Sequence, residues 1–188
     1  MARTYTLKRR AEQQAETRRR IADAALELHG TIGPAQTTLS MIAEHAGVQR
    51  HTLYAHFPDE RSLFMACSGL AEERDPAPDA APWQAIEGRE RLVTGLREIY
   101  AWYERNDTLL AAVLRDAQHH ALTRETNELR YGPTLSKWHE TLGVGLRKGQ
   151  YALLLLALSF HTWKTLTSQV GFGTEAAVGL MVETVWRA

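Results

Sequence analysis

The sequence predicts an all-α protein of about nine helices. Apolar residues recur at three- and four-residue intervals along most of the 188 residues, and no stretch alternates in the way that a β-strand would. Breaks that contain glycine or proline separate these periodic stretches. The stretch DPAPDAAP, residues 75–82, is typical of a stiff linker, so we expect an N-terminal domain before it and a second helical domain over residues 83–188.

The first predicted helix runs from about Thr17 to His29, with Ile21, Ala24, Ala25 and Leu28 on one face and Gly30 after its end. Residues 1–16 lack an apolar face, and we therefore expect them to form a flexible basic tail. The N-terminal domain proper is then predicted to span residues 17–74.

Two short helices joined by a glycine are predicted within TTLSMIAEHAGVQRHTLYAHF, residues 37–57. Thr38 can cap the first helix, and Gly47 suits the left-handed turn that follows it. The second helix, from about Gln49 to His56, turns Leu53 inward together with Phe57. The side chains left outward or on the rim are polar or donor-rich: Gln49, Arg50, His51, Thr52, Tyr54 and His56. Such a pair is either a helical hairpin within a core or a helix-turn-helix that inserts its second helix into a DNA major groove.

A fourth helix is predicted over residues 59–74, capped by Asp59. With it, the stretch TTLSMIAEHAGVQRHTLYAHFPDERSLF resembles the DNA-binding domain of the TetR family of bacterial transcriptional regulators, over about residues 17–72. In that family a threonine opens the second helix, AGV makes the turn, and a TLYxHF segment lies in the recognition helix.

The resemblance implies a DNA-binding homodimer on a palindromic operator, most simply a repressor that a small-molecule effector releases. Arg50 is the candidate for base readout, and Thr38, Thr52, Tyr54 and His56 are candidate phosphate contacts, beside Gln49 and His51. In the family a lysine that contacts a DNA phosphate is common near the start of the fourth helix, where this chain has Glu60. Arg61 is the candidate replacement.

The charge distribution agrees with a nucleic-acid partner although the net charge is zero. Residues 1–56 hold eight Lys/Arg and five Asp/Glu, whereas residues 57–188 hold fourteen and seventeen. Positive charge is thus concentrated in the segment with the predicted helix-turn-helix. A single cysteine, Cys67, and the lack of a signal peptide lead us to expect a cytoplasmic protein. The longest apolar run, residues 151–160, is too short to span a bilayer, so no membrane association is expected.

Five helices are predicted in the second domain. The first spans residues 83–105, the second begins near residue 107, and Gly132-Pro133 starts or kinks the third. The last two span residues 149–170 and 174–187. The first of the last two helices is apolar around most of its circumference, and the second carries an apolar stripe. A helix that is apolar all round must be buried on several sides. A central core helix is one explanation for the first of the two. The resemblance implies the other, which is a homodimer interface built from the last two helices.

Aromatic residues in the middle of the chain suggest a small-molecule pocket, since such pockets have aromatic walls with a few polar groups. The resemblance implies an effector site here, for which the candidates are Tyr100, Tyr103, Leu110, Trp138, Phe160 and His161. For each residue taken alone, core packing is the alternative.

Catalytic signatures are absent from the sequence: there is no GxSxG, P-loop or HExxH motif. The nearest metal-binding pattern is Asp116-x-x-His119 followed by His120, and it has no second copy. We therefore expect a protein that is not an enzyme and that needs no cofactor or metal, with a helical metal-dependent enzyme as the alternative.

Overall fold

A computed structural model describes the backbone of residues 2–188 and the side chains of residues 8–188. Within this range the chain forms ten α-helices and no β-strand, so the predicted all-α class is confirmed. The helices are α1 Ala2–Thr31, α2 Leu39–His45, α3 Arg50–His56, α4 Glu60–Arg74, α5 Gly88–Arg105, α6 Asp107–Ala117, α7 Ala121–Leu142, α8 Lys148–Ala157, α9 Phe160–Lys164 and α10 Thr174–Arg187. No helix in the described part of the chain has the length and apolar character needed to cross a bilayer.

Several helix boundaries differ from the sequence prediction. Helix α5 begins at Gly88 rather than at residue 83, because Pro82–Ala85 forms a separate short 3-10 turn. Helix α1 begins at Ala2 rather than Thr17, because residues 2–16 contain no glycine or proline and many good helix formers. Pro133 lies inside α7, so of the two predicted alternatives, a helix start and a kink, the start is wrong. The helix expected over residues 149–170 is broken at Ser159, whose extended backbone separates α8 from α9. This break accounts for the difference between nine predicted helices and ten.

The helices divide into two compact units. The first contains Met1–Arg74 and Ala111–Glu128, and the second contains Asp75–Leu110 and Leu129–Ala188. Sequence reasoning did not associate residues 111–128 with the N-terminal helices. Helices α6 and α7 each contribute residues to both units.

The core of the first unit is built from one face of each of α1 to α4. Ile21 and Ala25 of α1, Ile42 of α2, Leu53 of α3 and Leu63 of α4 are almost fully buried in one cluster. Since α2 and α3 have only seven residues each, their stability depends on this packing more than on helix propensity.

The second unit holds the Pro-rich stretch in place through hydrogen bonds. The indole N–H of Trp138 donates to the Pro78 carbonyl at 2.8 Å, and that of Trp102 donates to the Asp75 carbonyl at 3.1 Å. Arg105 adds an ion pair with the Asp75 carboxylate at 2.9 Å. The stretch predicted as a linker is thus packed along this unit.

Candidate functional site

Local capping interactions position the two helices of the predicted helix-turn-helix. The Thr38 hydroxyl accepts a hydrogen bond from the Met41 N–H at 3.2 Å and so caps α2. Gly47 has a φ of 64°, and the Val48 N–H donates back to the Ala43 carbonyl at 2.9 Å. Both the threonine cap and the glycine turn are therefore as predicted.

Helix α3 presents a polar surface because its apolar side chains are buried. Leu53 and the following Phe57 are each 1% exposed, whereas Tyr54 is 43% exposed. The side chains of Gln49, Arg50 and His51 are also exposed, and those of Thr52 and His56 are half-buried. The arrangement suits insertion into a groove, with one face in the core and donors on the other.

Arg18 of α1 fixes the end of α3, a role that the sequence did not suggest. Its guanidinium lies 4.0 Å from the centre of the Phe57 ring and donates a hydrogen bond to the His56 carbonyl. The backbone carbonyls at the end of a helix attract a cation, and the aromatic face adds a cation–π contact. The run of three arginines at residues 18–20 was the only sequence signal.

Arg61, the candidate for a phosphate contact on α4, forms an ion pair with Glu125 of α7. Its Nη1 and Nη2 donate to the two carboxylate oxygens at 2.7 and 2.8 Å. The hydrogen bond from Arg61 lowers the pKa of Glu125, and the same bond raises the pKa of Arg61. The Asp59 carboxylate nearby caps α4 by accepting from the Ser62 N–H at 2.7 Å, as expected.

Asp116, the carboxylate of the possible metal motif, stabilises the corner between α1 and α2 instead. It is 1% exposed and accepts from the Ala35 N–H at 2.9 Å and from Arg115 Nε at 2.7 Å. Burial raises its pKa, but these donors outweigh burial, and the net pKa is lowered. Within the described side chains, no group of three or more His, Cys, Asp and Glu residues could hold a metal ion.

Gly33 is required at this corner. Its φ is 102°, and a Cβ atom there would lie 2.2 Å from Arg115 Nη2 and 2.4 Å from Asp116 Oδ2. Arg115 Nη2 also donates to the Ile32 carbonyl at 3.1 Å. The chain between α1 and α2 is therefore packed directly against the end of α6.

A buried histidine lies between α1 and α4. The His29 ring, 5% exposed, is 4.8 Å from the Phe64 ring between centres, and its Nδ1 is 3.6 Å from Cys67 Sγ. Burial, with a smaller repulsion from His120, lowers the pKa of His29 to about 4. His29 is thus neutral at neutral pH.

The candidate effector residues fall into two groups. Tyr100 and Tyr103 are buried, and their hydroxyls donate to the Ala157 and Leu158 carbonyls, each at 2.7 Å. Burial raises the pKa of both phenols. Phe160 packs edge-on against Tyr103 with ring centres 5.5 Å apart, and Leu110 is buried as well. The side chain of His161, by contrast, is exposed.

Two features of the second unit bear on ligand binding. Trp138, 1% exposed, lines an open cleft of about 370 Å³ with Pro78 and Lys137. The indole N–H of Trp163 is buried without a hydrogen-bond partner in the described structure, although its ring lies 6.0 Å from that of Tyr103. An unpaired buried donor costs free energy and is unusual in a core. Trp163 was not among the candidate residues.

Comparison with known proteins matches the first unit to one family. A model described as "Bacterial regulatory proteins, tetR family" matches residues 21–67. The HTH-type transcriptional regulator AcrR of Shigella flexneri is 43% identical over 65 residues, which cover 34% of this chain and 30% of that protein. SrpR of Pseudomonas putida, also an HTH-type transcriptional regulator, is 37% identical over 82 residues, covering 40% and 38%. The chain thus spans less than half the length of these two relatives.

Solved structures match nearly the whole fold. A TetR-like transcriptional regulator from Rhodococcus sp. RHA1 has a TM-score of 0.64 at 19% identity, covering 91% of this chain and 94% of that one. The transcriptional regulator FadR of Bacillus subtilis, in complex with stearoyl-CoA, has a TM-score of 0.61 at 18% identity, covering 89% and 96%. Because fewer than one residue in five is identical, this similarity shows that the fold is shared and nothing more.

Proposed function

Because the helix-turn-helix segment, residues 21–67, belongs to the tetR family of bacterial regulatory proteins, we propose that this protein is a ligand-responsive transcriptional repressor. It binds a palindromic DNA operator as a homodimer, and a small-molecule effector releases it. The observation that most supports this proposal is the polar surface of α3, whose donors face outward while Leu53 and Phe57 are buried.

DNA binding is proposed to combine base readout with phosphate contacts. Arg50 and Tyr54 are exposed one helical turn apart, with Arg50 Nη2 3.5 Å from the Tyr54 hydroxyl. Arginine is the commonest side chain for reading guanine in the major groove, so Arg50 is assigned to a base. Thr38, Thr52, Tyr54 and His56 are assigned to backbone phosphates, which fix the register without reading sequence. Gln49 and His51 are assigned to the same interface.

Homodimerisation is proposed through α8 and α10, where apolar side chains are exposed. Leu156 of α8 is 56% exposed and Leu180 of α10 is 43% exposed, and Tyr151, Leu155 and Trp186 are exposed beside them. The two helices are joined by a hydrogen bond of 2.9 Å from Gln150 to the Trp186 carbonyl. Two copies would cover these side chains as a four-helix bundle and present two α3 helices about 34–36 Å apart, or a multiple of that spacing.

Effector binding is proposed in the second unit. Its support is the cluster of Tyr100, Tyr103, Phe160 and Trp163, with the unpaired Trp163 N–H, together with Trp138, Leu110 and His161 on the surrounding helices. FadR, which shares the fold, binds stearoyl-CoA. An effector weakens DNA binding only to the extent that it binds the DNA-free state more tightly than the DNA-bound state. The corresponding coupling free energy is typically about 1–3 kcal/mol.

The decisive experiment is selection of bound duplexes from a random DNA pool, repeated with candidate effectors. We expect enrichment of an inverted repeat, and loss of binding with one class of effector. Enrichment of no sequence by the full-length protein would refute the proposal. Metal analysis of the purified protein checks the alternative of a helical metal-dependent enzyme.

A further inference from the structure

Arg61 differs from the other proposed DNA contacts because its charge is already paired. In the described part of the chain, the side chains of Thr38 and of α3 form no ion pair, whereas both terminal nitrogens of Arg61 bind Glu125. Glu125 follows Arg61 by 64 residues and lies on α7, in the segment Ala111–Glu128 of the same unit.

The geometry of this pair is the one that arginine uses for phosphate. The two N–H groups bind two oxygens of one acceptor at 2.7 and 2.8 Å. A carboxylate and a phosphate both offer such a pair of oxygens to the planar guanidinium. This edge of Arg61 can therefore bind Glu125 or a DNA phosphate, but not both at once.

The surroundings of Arg61 make this choice matter for DNA binding. Asp59 and Glu60 immediately precede Arg61 at the start of α4. The guanidinium therefore lies in an acidic stretch, where it supplies positive charge for a phosphate. The side chains of Arg61 and Glu125 are each 55% exposed. The pair can consequently open without disturbing the core, and a phosphate can reach it from solvent.

We propose that Glu125 is an internal competitor of the DNA backbone for Arg61. In the free protein Glu125 holds the guanidinium, and on binding Arg61 exchanges this carboxylate for a phosphate of the duplex. The inference rests on the proposed DNA-binding function. Glu125 thereby lowers affinity for all DNA sequences equally, because Arg61 then binds the backbone and not a base.

The test is binding of the full chain to a mixed-sequence DNA duplex over a range of salt concentrations. Glu125→Gln should tighten binding about two- to fivefold for each Arg61 engaged, as expected for release from an exposed ion pair. Arg61→Gln should weaken binding and reduce the slope of log affinity against log salt by about 1 for each phosphate that the variant no longer binds. In the double variant, Glu125→Gln should have no effect beyond that of removing one negative charge, because its partner is missing.

Glu128→Gln is the matched control, since Glu128 is an exposed carboxylate on the same helix without a partner among the described residues. If Glu125→Gln tightens binding no more than Glu128→Gln, or tightens it equally when Arg61 is glutamine, the effect is only net charge and the inference is wrong. An unchanged salt slope in Arg61→Gln would also overturn it. These results leave DNA binding itself intact, whereas failure of the wild-type protein to bind the duplex would refute the proposed function.

Discussion

Acidification should destabilise the first unit through His29. Burial lowers the pKa of His29 from 6.5 to about 4. Because the folded-state pKa is the lower one, the unfolded chain binds the proton more tightly. The contribution of His29 to stability is therefore complete above pH 6.5 and falls as the pH drops to about 4. At roughly 1.36 kcal/mol for each pH unit, the loss is about 3 kcal/mol.

The change that isolates this contribution is His29→Leu, which keeps an apolar side chain beside Phe64 but cannot be protonated. Carboxylates such as Asp116 titrate in both proteins, so their contribution cancels in the difference. Between about pH 7 and 4, the free energy of unfolding of the wild type should fall by about 3 kcal/mol more than that of the variant. His51→Leu, which removes an exposed histidine, is the control and should follow the wild type.

Urea titrations at each pH provide the measurement, followed by circular dichroism and by tryptophan emission. All five tryptophans lie in the second unit. The loss at low pH should appear in the circular dichroism signal as a lower urea midpoint, while tryptophan emission reports on the second unit alone. Parallel curves of free energy against pH for the wild type and His29→Leu would refute the reasoning.

Four further changes test other parts of the structure. Arg50→Ala should relax base preference at one operator position by about 1–3 kcal/mol, and selected DNA with an unchanged profile would exclude Arg50 from base readout. Leu180→Glu should dissociate the dimer in sedimentation without unfolding the protomer, because Leu180 is 43% exposed; a dimeric variant would move the interface elsewhere. Gly33→Ala should lower stability by about 2 kcal/mol or more in urea titrations, since its φ is 102° and its Cβ would overlap Arg115; an unchanged midpoint would contradict this. Trp138→Ala should cost about 3–5 kcal/mol of stability in the second unit if Trp138 is core; a small cost together with a selective loss of effector response would identify it as a pocket wall.

The sequence predicts the helix-turn-helix well because its determinants are local. Thr38 caps α2 through a residue three positions away, Asp59 caps α4 in the same way, and Gly47 acts through its own backbone. The inward faces of α1 to α4 follow from helical spacing. The start of α1 was missed because residues 2–16 lack an apolar face, although they are good helix formers. The break at Ser159 was missed because neither glycine nor proline marks it.

The aromatic residues of the second unit illustrate a different limit. The helical spacing of Tyr100 and Tyr103 would be the same whether these residues were packed in a core or lined a pocket. The sequence therefore cannot distinguish a core from a pocket. The backbone carbonyls of Ala157 and Leu158 satisfy their hydroxyls, which argues for packing at those positions. The unpaired N–H of Trp163 is the feature that favours a ligand, and it depends on what surrounds the indole, which no periodicity encodes.

The interactions that complete the first unit join residues far apart in sequence, and for this reason its boundary could not be predicted. The Ala35 N–H is satisfied by Asp116, 81 residues later. Asp116 is buried, so removing it leaves the amide at the corner of α1 and α2 without its acceptor. Residue 74 is therefore the end of α4 but not of the compact unit: the segment Ala111–Glu128 is as much a part of the unit as α4, although nothing in its own sequence resembles a DNA-binding domain.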